Sequence, residues 1–198
     1  ADQTIWFVNN DIDPFTTDFM YGSLPMGIEQ QVTIWGYNKA GDLGNMLFRK
    51  YTIINKNSQK KPFTDMYVSM WSDPDNGDAG DDYVGCDTTT SLFYVYNAKA
   101  TDGVYGANPP AAGFDFFQGP RIKTNVQTDT ANFKGKKWIG YKNLPMTAFY
   151  YFAQGATTDY ADPQQGLYAG TLQFYNLFQG FVGRTGQPFP IPAAVQVP

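Results

Sequence analysis

Short segments of alternating polar and apolar residues recur along the chain, and they predict a protein built mainly of β-strands. In the segment 31–37, Val32 and Ile34 fall on one face, whereas Thr33 and Trp35 fall on the other. Such runs, bounded by Gly, Pro, Asn and Asp, are typical of antiparallel strands. The same pattern predicts further strands at 46–55, 65–72, 91–98, 112–119, 137–142 and 148–154.

One segment near the C-terminus has a helical period instead. Leu172, Tyr175 and Phe178 recur on one helical face within 170–180. Gly180 fits the position just after a last helical turn. We therefore predict a mainly β fold, an antiparallel β-sandwich of jelly-roll or immunoglobulin-like type, with long loops and this one short C-terminal helix.

The chain shows no clear internal linker, so the sequence predicts a single domain over 1–183, with 1–40 as either a peripheral part of it or the edge of a neighbouring domain. Prolines then predict an extended arm over 184–198, because proline cannot take part in a well-paired central strand. The arm also carries apolar side chains, which we expect to contact another copy or a neighbouring domain of a longer chain: Phe189, Ile191, Val195 and Val197. The alternative is that the arm folds back over its own domain.

Composition excludes several classes of function. The chain contains no histidine and a single cysteine, Cys86, which excludes histidine-dependent catalytic triads, histidine metal sites, thiolate clusters and an internal disulfide. The net charge of −4 gives no electrostatic support for binding nucleic acid. No apolar run approaches the roughly 20 residues that a membrane span needs. We therefore expect a non-enzymatic protein with neither a nucleic-acid partner nor a membrane span.

The most unusual stretch is WSDPDNGDAGDDYVGCD, at 71–87, which holds six aspartates and no positive charge. Six carboxylates confined in a folded loop repel one another unless a cation neutralises them. Ca²⁺ suits such a loop because it takes six to eight oxygen ligands in irregular geometry. The candidate metal ligands are Asp73, Asp75, Asp78, Asp81, Asp82 and Asp87, with Asn76 as a further oxygen donor.

The expected role of this Ca²⁺ is structural, to hold the loop between two strands. The spacing is not that of an EF-hand, whose fifth, sixth and twelfth positions are occupied here by Gly77, Asp78 and Val84. Mg²⁺ fits less well because it prefers to keep several waters. The alternative without a metal is a solvated acidic turn, capped by its own side-chain hydrogen bonds.

Five segments together resemble one region of large secreted proteins of Bacteroidetes, Ignavibacteria and related bacteria. They are YTIINKN, MYVSMWSDPDNGDAGDDYVGCDTT, PPAAGFDFFQGP, GYKNLPMTAFYYF and LQFYNLFQG followed by GQPF, in order from about Pro25 to Phe189. Such proteins typically carry a C-terminal sorting domain for type IX secretion. The resemblance implies an extracellular or cell-surface β-rich domain without established catalytic residues. Because this chain carries no sorting domain, we expect it to be a processed fragment or a single module.

Two hypotheses of function follow. The first is a structural or adhesive module of a secreted surface protein, self-associating into an assembly. The alternative is a carbohydrate-binding module of a secreted degradative protein, with polysaccharide as partner. Secreted proteins of these bacteria are also often O-glycosylated at Asp-Ser/Thr motifs, which makes Thr88 and Thr130 candidate acceptors in DTT and DTA.

Overall fold

The computed structural model describes residues 1–59, 61–152 and 159–189. The prediction of a mainly β protein with antiparallel sheets is confirmed, although each sheet holds only two or three strands. The chain divides into two compact units, and the single domain over 1–183 stays a prediction. The first unit comprises Ala1–Met66 with Pro163–Tyr175, and the second comprises Tyr67–Asp162 with Asn176–Pro198.

Most of the regular secondary structure is β-strand, and the strands are numbered in chain order. The strands are β1 Gln3–Asn10, β2 Ile28–Gly36, β3 Leu47–Asn55, β4 Asp82–Asp87, β5 Leu92–Asn97, β6 Thr101–Asp102, β7 Gly106–Ala107, β8 Ala111–Asp115, β9 Arg121–Lys123, β10 Thr130–Phe133, β11 Lys136–Ile139 and β12 Tyr141–Asn143. The α-helices are α1 Pro14–Tyr21 and α2 Tyr168–Phe178. None of the helices in the described residues is both long and apolar enough to cross a membrane.

The first unit contains a three-stranded antiparallel sheet in the order β1-β2-β3. Val32 lies at its centre, between Phe7 on β1 and Tyr51 on β3, and is buried. Both neighbours stay more than 40% exposed, so the apolar face around Val32 is largely open to solvent. Hydrophobic burial therefore contributes little to this sheet outside its centre.

Helix α1 was not predicted from the sequence, although its start carries two recognisable signals. Asp13 is the N-cap residue, and its side chain accepts a hydrogen bond from the amide of Phe15 at 3.1 Å. Pro14 occupies the first helical position, where its missing N–H costs nothing. Gly22 ends the helix in the left-handed conformation, with a φ of 66°.

The second unit contains a sheet in the order β4-β5-β8, which carries its core. Val95 on β5 is buried between Val84 on β4 and Ala112 on β8. On the same face the rings of Phe93 and Phe114 stack, with centroids 4.5 Å apart. This apolar packing fixes the position of the strands that follow the acidic loop.

An arginine surrounded by aromatic rings holds together the small strand pairs β9–β12 and β10–β11. The guanidinium carbon of Arg121 lies 4.2 Å from the ring centres of Phe133 and Trp138, and 5.0 Å from that of Tyr141. Such cation–π contacts stabilise a cluster by about 0.5–2 kcal/mol each. Gly140 lies between β11 and β12 with a φ of 76°, so the strand expected at 137–142 is divided in two.

Two further predicted strands are absent. Segment 65–72 alternates in sequence but forms no strand, and it begins with Asp65 at a φ of 52°. Residues 148–152 also lie outside any strand, while 153 and 154 lie outside the described residues. Alternation alone does not make a strand, because a strand also needs a neighbour with which to exchange hydrogen bonds.

The C-terminal helix is present where it was expected, although α2 begins at Tyr168, two residues earlier than predicted. Gly180 follows its end with a φ of 77°, as the sequence indicated. The chain then turns back, because the side chain of Asn176 donates to the carbonyl of Gly183 at 2.9 Å and Phe181 forms a β-bridge with Pro188.

Candidate functional site

Within the acidic stretch at 71–87, the residues at 76–82 form a loop, called the acidic loop from here on. It contains one short helical turn and leads directly into β4. Asp78 caps this turn: its side chain accepts a hydrogen bond from the amide of Gly80 at 3.0 Å. Its carbonyl accepts a hydrogen bond from the amide of Asp81 at 3.2 Å, which closes the 3₁₀ turn Ala79–Asp81. Asp82 then begins β4. Local capping chemistry thus places two adjacent carboxylates at the start of a strand.

Asp102, which was not predicted from the sequence, connects the loop by hydrogen bonds to a second turn. Its carboxylate is buried and accepts hydrogen bonds from the amides of Asp78, Val104 and Tyr105 at 2.9, 2.8 and 2.6 Å. These bonds, first of all the one from Asp78, hold the pKa of Asp102 below its ordinary value. Asp102 therefore remains a carboxylate and joins two turns that are 24 residues apart.

Asn76 fastens the start of the loop to its end. It is buried, and its amide donates a hydrogen bond to Oδ2 of Asp82 at 2.8 Å. Its side-chain Nδ2 donates to the carbonyl of Pro110. Because Asn76 uses its donors in this way, one oxygen of Asp82 is already committed within the loop.

Three oxygen atoms beside the loop are buried and accept no hydrogen bond from the part of the chain that the structure describes. They are Oδ1 of Asp81, Oδ1 of Asp82 and Oδ1 of Asn97. Asn97 lies directly opposite Asp82 on the neighbouring strand, so their side chains share one face of the sheet. A buried carboxylate oxygen without a partner is costly, which distinguishes these atoms from ordinary solvated acids.

The charges at the loop are not balanced by protein cations. Four carboxylates lie in or against it, those of Asp78, Asp81, Asp82 and Asp102. Lys99 approaches Oδ2 of Asp81 at 3.0 Å, but its side chain is 68% exposed, so this pair contributes little. In the described ranges, no three side chains of His, Cys, Asp or Glu come together as a ready ion site. A cation here would therefore also need amide, carbonyl or water oxygens.

The six predicted ligands are not all brought together. Asp73 and Asp75 are exposed in the segment before the loop. Asp87 lies at the opposite end of β4 from Asp82, which is about 17 Å away at the rise of a β-strand. There its carboxylate accepts hydrogen bonds from the amide and hydroxyl of Thr89 at 2.8 and 2.6 Å. Asp87 therefore caps its own turn and does not join the other carboxylates.

The candidate glycosylation residues both lie on the surface. Thr88 is exposed in the turn that joins β4 to β5, and Thr130 is exposed at the first residue of β10. An acceptor hydroxyl needs such exposure, but nothing in the fold identifies either residue as modified. Glycosylation of Thr88 and Thr130 stays a prediction.

Phe189, predicted as part of the interaction arm, packs within its own unit. Its ring lies 4.9 Å from that of Tyr150 and 5.3 Å from that of Tyr160, both at steep angles. Phe189 is therefore not free to serve in an arm that leaves the domain. Ile191, Val195 and Val197 lie outside the described residues, so contacts through them remain a prediction.

Exposed tryptophans are the side chains on which a sugar-binding function would depend. Trp6 and Trp71 are more than 60% exposed and lie in different units. Trp138 is also exposed, but Arg121 already covers its ring. A row of sugar-stacking rings is therefore not formed within either unit by these residues. Compared with protein-family models, with curated proteins and with solved structures, the chain matches none of them.

Proposed function

We propose that this chain is a non-enzymatic structural module of an extracellular or cell-surface protein, and that its acidic loop binds one structural Ca²⁺. The observation that carries the proposal is the pair of buried carboxylate oxygens, Oδ1 of Asp81 and Oδ1 of Asp82, that accept no hydrogen bond. A bound cation supplies the missing partner for both atoms.

The donor set suits Ca²⁺ better than other ions. Carboxylate oxygens of Asp81 and Asp82, and the amide oxygen of Asn97, are hard ligands on adjoining backbone segments. The chain offers neither histidine nor a second cysteine for softer metals. Ca²⁺ accepts mixed carboxylate, amide and water oxygens without a strict geometry, which fits a site that is only partly built by carboxylates.

The proposed role is structural because of what the loop connects. Asp78 and Asp102 join the loop to the turn between β6 and β7, and Asn76 joins it to the segment before β8. An ion bound at Asp81 and Asp82 would hold these connections together. Since only the native state assembles the ligands, the binding free energy adds to the stability of the fold.

The proposed extracellular location is supported by the sequence resemblance and by the weak Ca²⁺ affinity that is sufficient outside the cell. The resemblance to secreted proteins points to the outside of the cell, where modules bind Ca²⁺ with dissociation constants of about 10⁻⁴–10⁻³ M. In such a setting a weak site stays filled without dedicated high-affinity geometry. Other copies of the chain, or neighbouring domains of a longer chain, are the proposed partners.

Thermal unfolding with Ca²⁺ and with a chelator tests this proposal. At a Ca²⁺ concentration 100 times the dissociation constant, the native state gains about 2.7 kcal/mol, or about 5–10 °C in Tm for a chain of this size. Asp82→Asn should abolish the gain, whereas the matched variant Asp75→Asn, changed at an exposed position outside the loop, should retain it. An identical Tm with Ca²⁺ and with chelator would overturn the proposal.

A further inference from the structure

Strand β1 forms an open edge of the sheet in the first unit. It is the outer strand in the order β1-β2-β3, and every one of its eight residues is exposed. The amide of Asp11 donates to the carbonyl of Ile28, which continues the ladder and directs the odd-numbered residues toward β2. Along a strand, the backbone N–H and C=O groups of successive residues point alternately to one edge and to the other. Trp6 and the other even-numbered residues therefore present these groups outward, away from β2.

This edge lacks the features that usually protect an exposed strand. Between Gln3 and Asn10 there is no charged residue and no proline, and eight consecutive residue pairs join β1 to β2 without a bulge. By contrast, β3 at the other edge carries Arg49 and Lys50, and β4 begins and ends with aspartate. Long, flat, uncharged edge strands are templates for pairing with another strand.

The side chains of β1 are complementary to themselves. Four apolar residues, at 5–8, are flanked by uncharged polar residues on both sides. Two copies of β1 can pair antiparallel about a two-fold axis normal to the sheet. Directly opposed residues of the two copies then have their side chains on the same face of the sheet. With the axis at Trp6, the facing pairs are Trp6 with Trp6, Ile5 with Phe7, Thr4 with Val8, and Gln3 with Asn9.

Each of these pairs is favourable. Trp6 with Trp6 is an aromatic pair, Ile5 with Phe7 combines a β-branched with an aromatic side chain, and Thr4 with Val8 joins two β-branched side chains; all are stabilising across strands. The amides of Gln3 and Asn9 can both donate and accept hydrogen bonds. A register with its axis at Phe7 would instead place Asn9 against Ile5, a polar residue against an apolar one. The outward-facing backbone of Trp6 also makes the central pair a hydrogen-bonded one.

We propose that β1 pairs with β1 of a second copy of this chain, about a two-fold axis at Trp6, to form a continuous six-stranded sheet. A second copy is favoured over a different partner because β1 is uncharged and its facing pairs from Gln3 to Asn9 are complementary, while Asn10 faces Asp2 beyond them. The contact lies in the first unit and uses no residue of the acidic loop. The proposed contact is therefore tested independently of the proposed Ca²⁺ site.

Sedimentation velocity of the full chain, in chelator, tests the proposal. The wild type should sediment as a dimer in the micromolar range. Trp6→Lys places two like charges at the axis and should raise the dissociation constant at least tenfold. Leu47→Lys is the matched control, because Leu47 is 71% exposed on β3 at the opposite edge, and this variant should remain dimeric.

A monomeric wild type, a dimeric Trp6→Lys variant, or dissociation by Leu47→Lys would each overturn the proposal. If the circular dichroism spectrum shows that Trp6→Lys fails to fold, Val8→Pro replaces it. The N–H of Val8 points outward, so proline there removes a donor from the open edge and leaves the ladder with β2 intact. This variant should be monomeric with an unchanged circular dichroism spectrum, and a dimer would again contradict the proposal.

Discussion

Gly77 lies directly against the carboxylate of Asp102. A Cβ atom added at Gly77 would be 2.3 Å from Oδ1 of Asp102, and the φ of this glycine is 97°. Both the space and the backbone conformation therefore require glycine. The close approach allows the next amide, that of Asp78, to donate to Oδ2 of Asp102 at 2.9 Å.

Gly77→Ala should destabilise the second unit more than an ordinary glycine replacement. The matched control is Gly106→Ala, whose φ is also positive, at 69°, but which has no atom within 4 Å of the added Cβ. We expect the control to cost about 1–2 kcal/mol from the backbone alone, and Gly77→Ala to cost clearly more. Urea denaturation measures both, and equal losses would contradict the described contact.

The stability supplied by Asp102 should depend on pH. Hydrogen bonds from the amides of Asp78 and Tyr105 lower the pKa of Asp102 in the folded state. A lowered pKa gives stability that is present above the unfolded pKa of about 3.9 and is lost as the pH falls through the folded value. Asp102→Asn should therefore unfold more easily than the wild type at pH 7, and the difference should shrink below about pH 4. Chemical denaturation in chelator at both pH values checks this, and a difference independent of pH would contradict it.

The sequence predicted strands best where a neighbouring strand could complete them. The segments around Val32 and Val95 were correct, because their alternation coincides with paired strands on both sides. The segment around Val68 alternates equally well but forms no strand in the described residues. Local pattern reports which face of a strand could be buried, whereas pairing depends on distant residues that a single sequence does not reveal.

The acidic loop was predictable in part for the same reason. Asp78 and its neighbours were visible as an unusual local cluster. Asp102 was missed because it lies 24 residues from Asp78, in a segment that has the composition of an ordinary turn. Asp87 was predicted as a metal ligand because it belongs to the same stretch of aspartates, although an extended strand separates it from Asp82.

The arginine at the centre of the aromatic cluster should not be replaceable by lysine. Arg121 lies against three rings with its planar guanidinium, a geometry that the ammonium of lysine does not reproduce. Arg121→Lys should lower the free energy of unfolding by about 1 kcal/mol and change the fluorescence of Trp138. The reverse exchange at an exposed position of the same strand, Lys123→Arg, is the control and should change neither. Equal stability of the two variants would show that the cluster does not depend on the guanidinium.

Two truncations should separate Phe189 from the residues that follow it. Ending the chain after Gly183 removes Phe189 from Tyr150 and Tyr160, together with the bridge between Phe181 and Pro188. This truncation should lower the Tm by several degrees, because a buried aromatic contact is lost. Ending the chain after Phe189 keeps these contacts and should give a higher Tm than ending it after Gly183. The reverse order of the two Tm values would contradict the packing of Phe189.

Calorimetric titration of the metal-free chain with Ca²⁺ measures directly whether the acidic loop binds this ion. We expect one Ca²⁺ per chain, at least tenfold weaker binding for Asp82→Asn, and unchanged binding for Asp87→Asn at the far end of the same strand. This result would identify the carboxylate of Asp82 as a ligand, and the same loss of affinity in Asp81→Asn would identify that of Asp81. The absence of both binding heat and bound Ca²⁺ in equilibrium dialysis at millimolar Ca²⁺ would contradict the account.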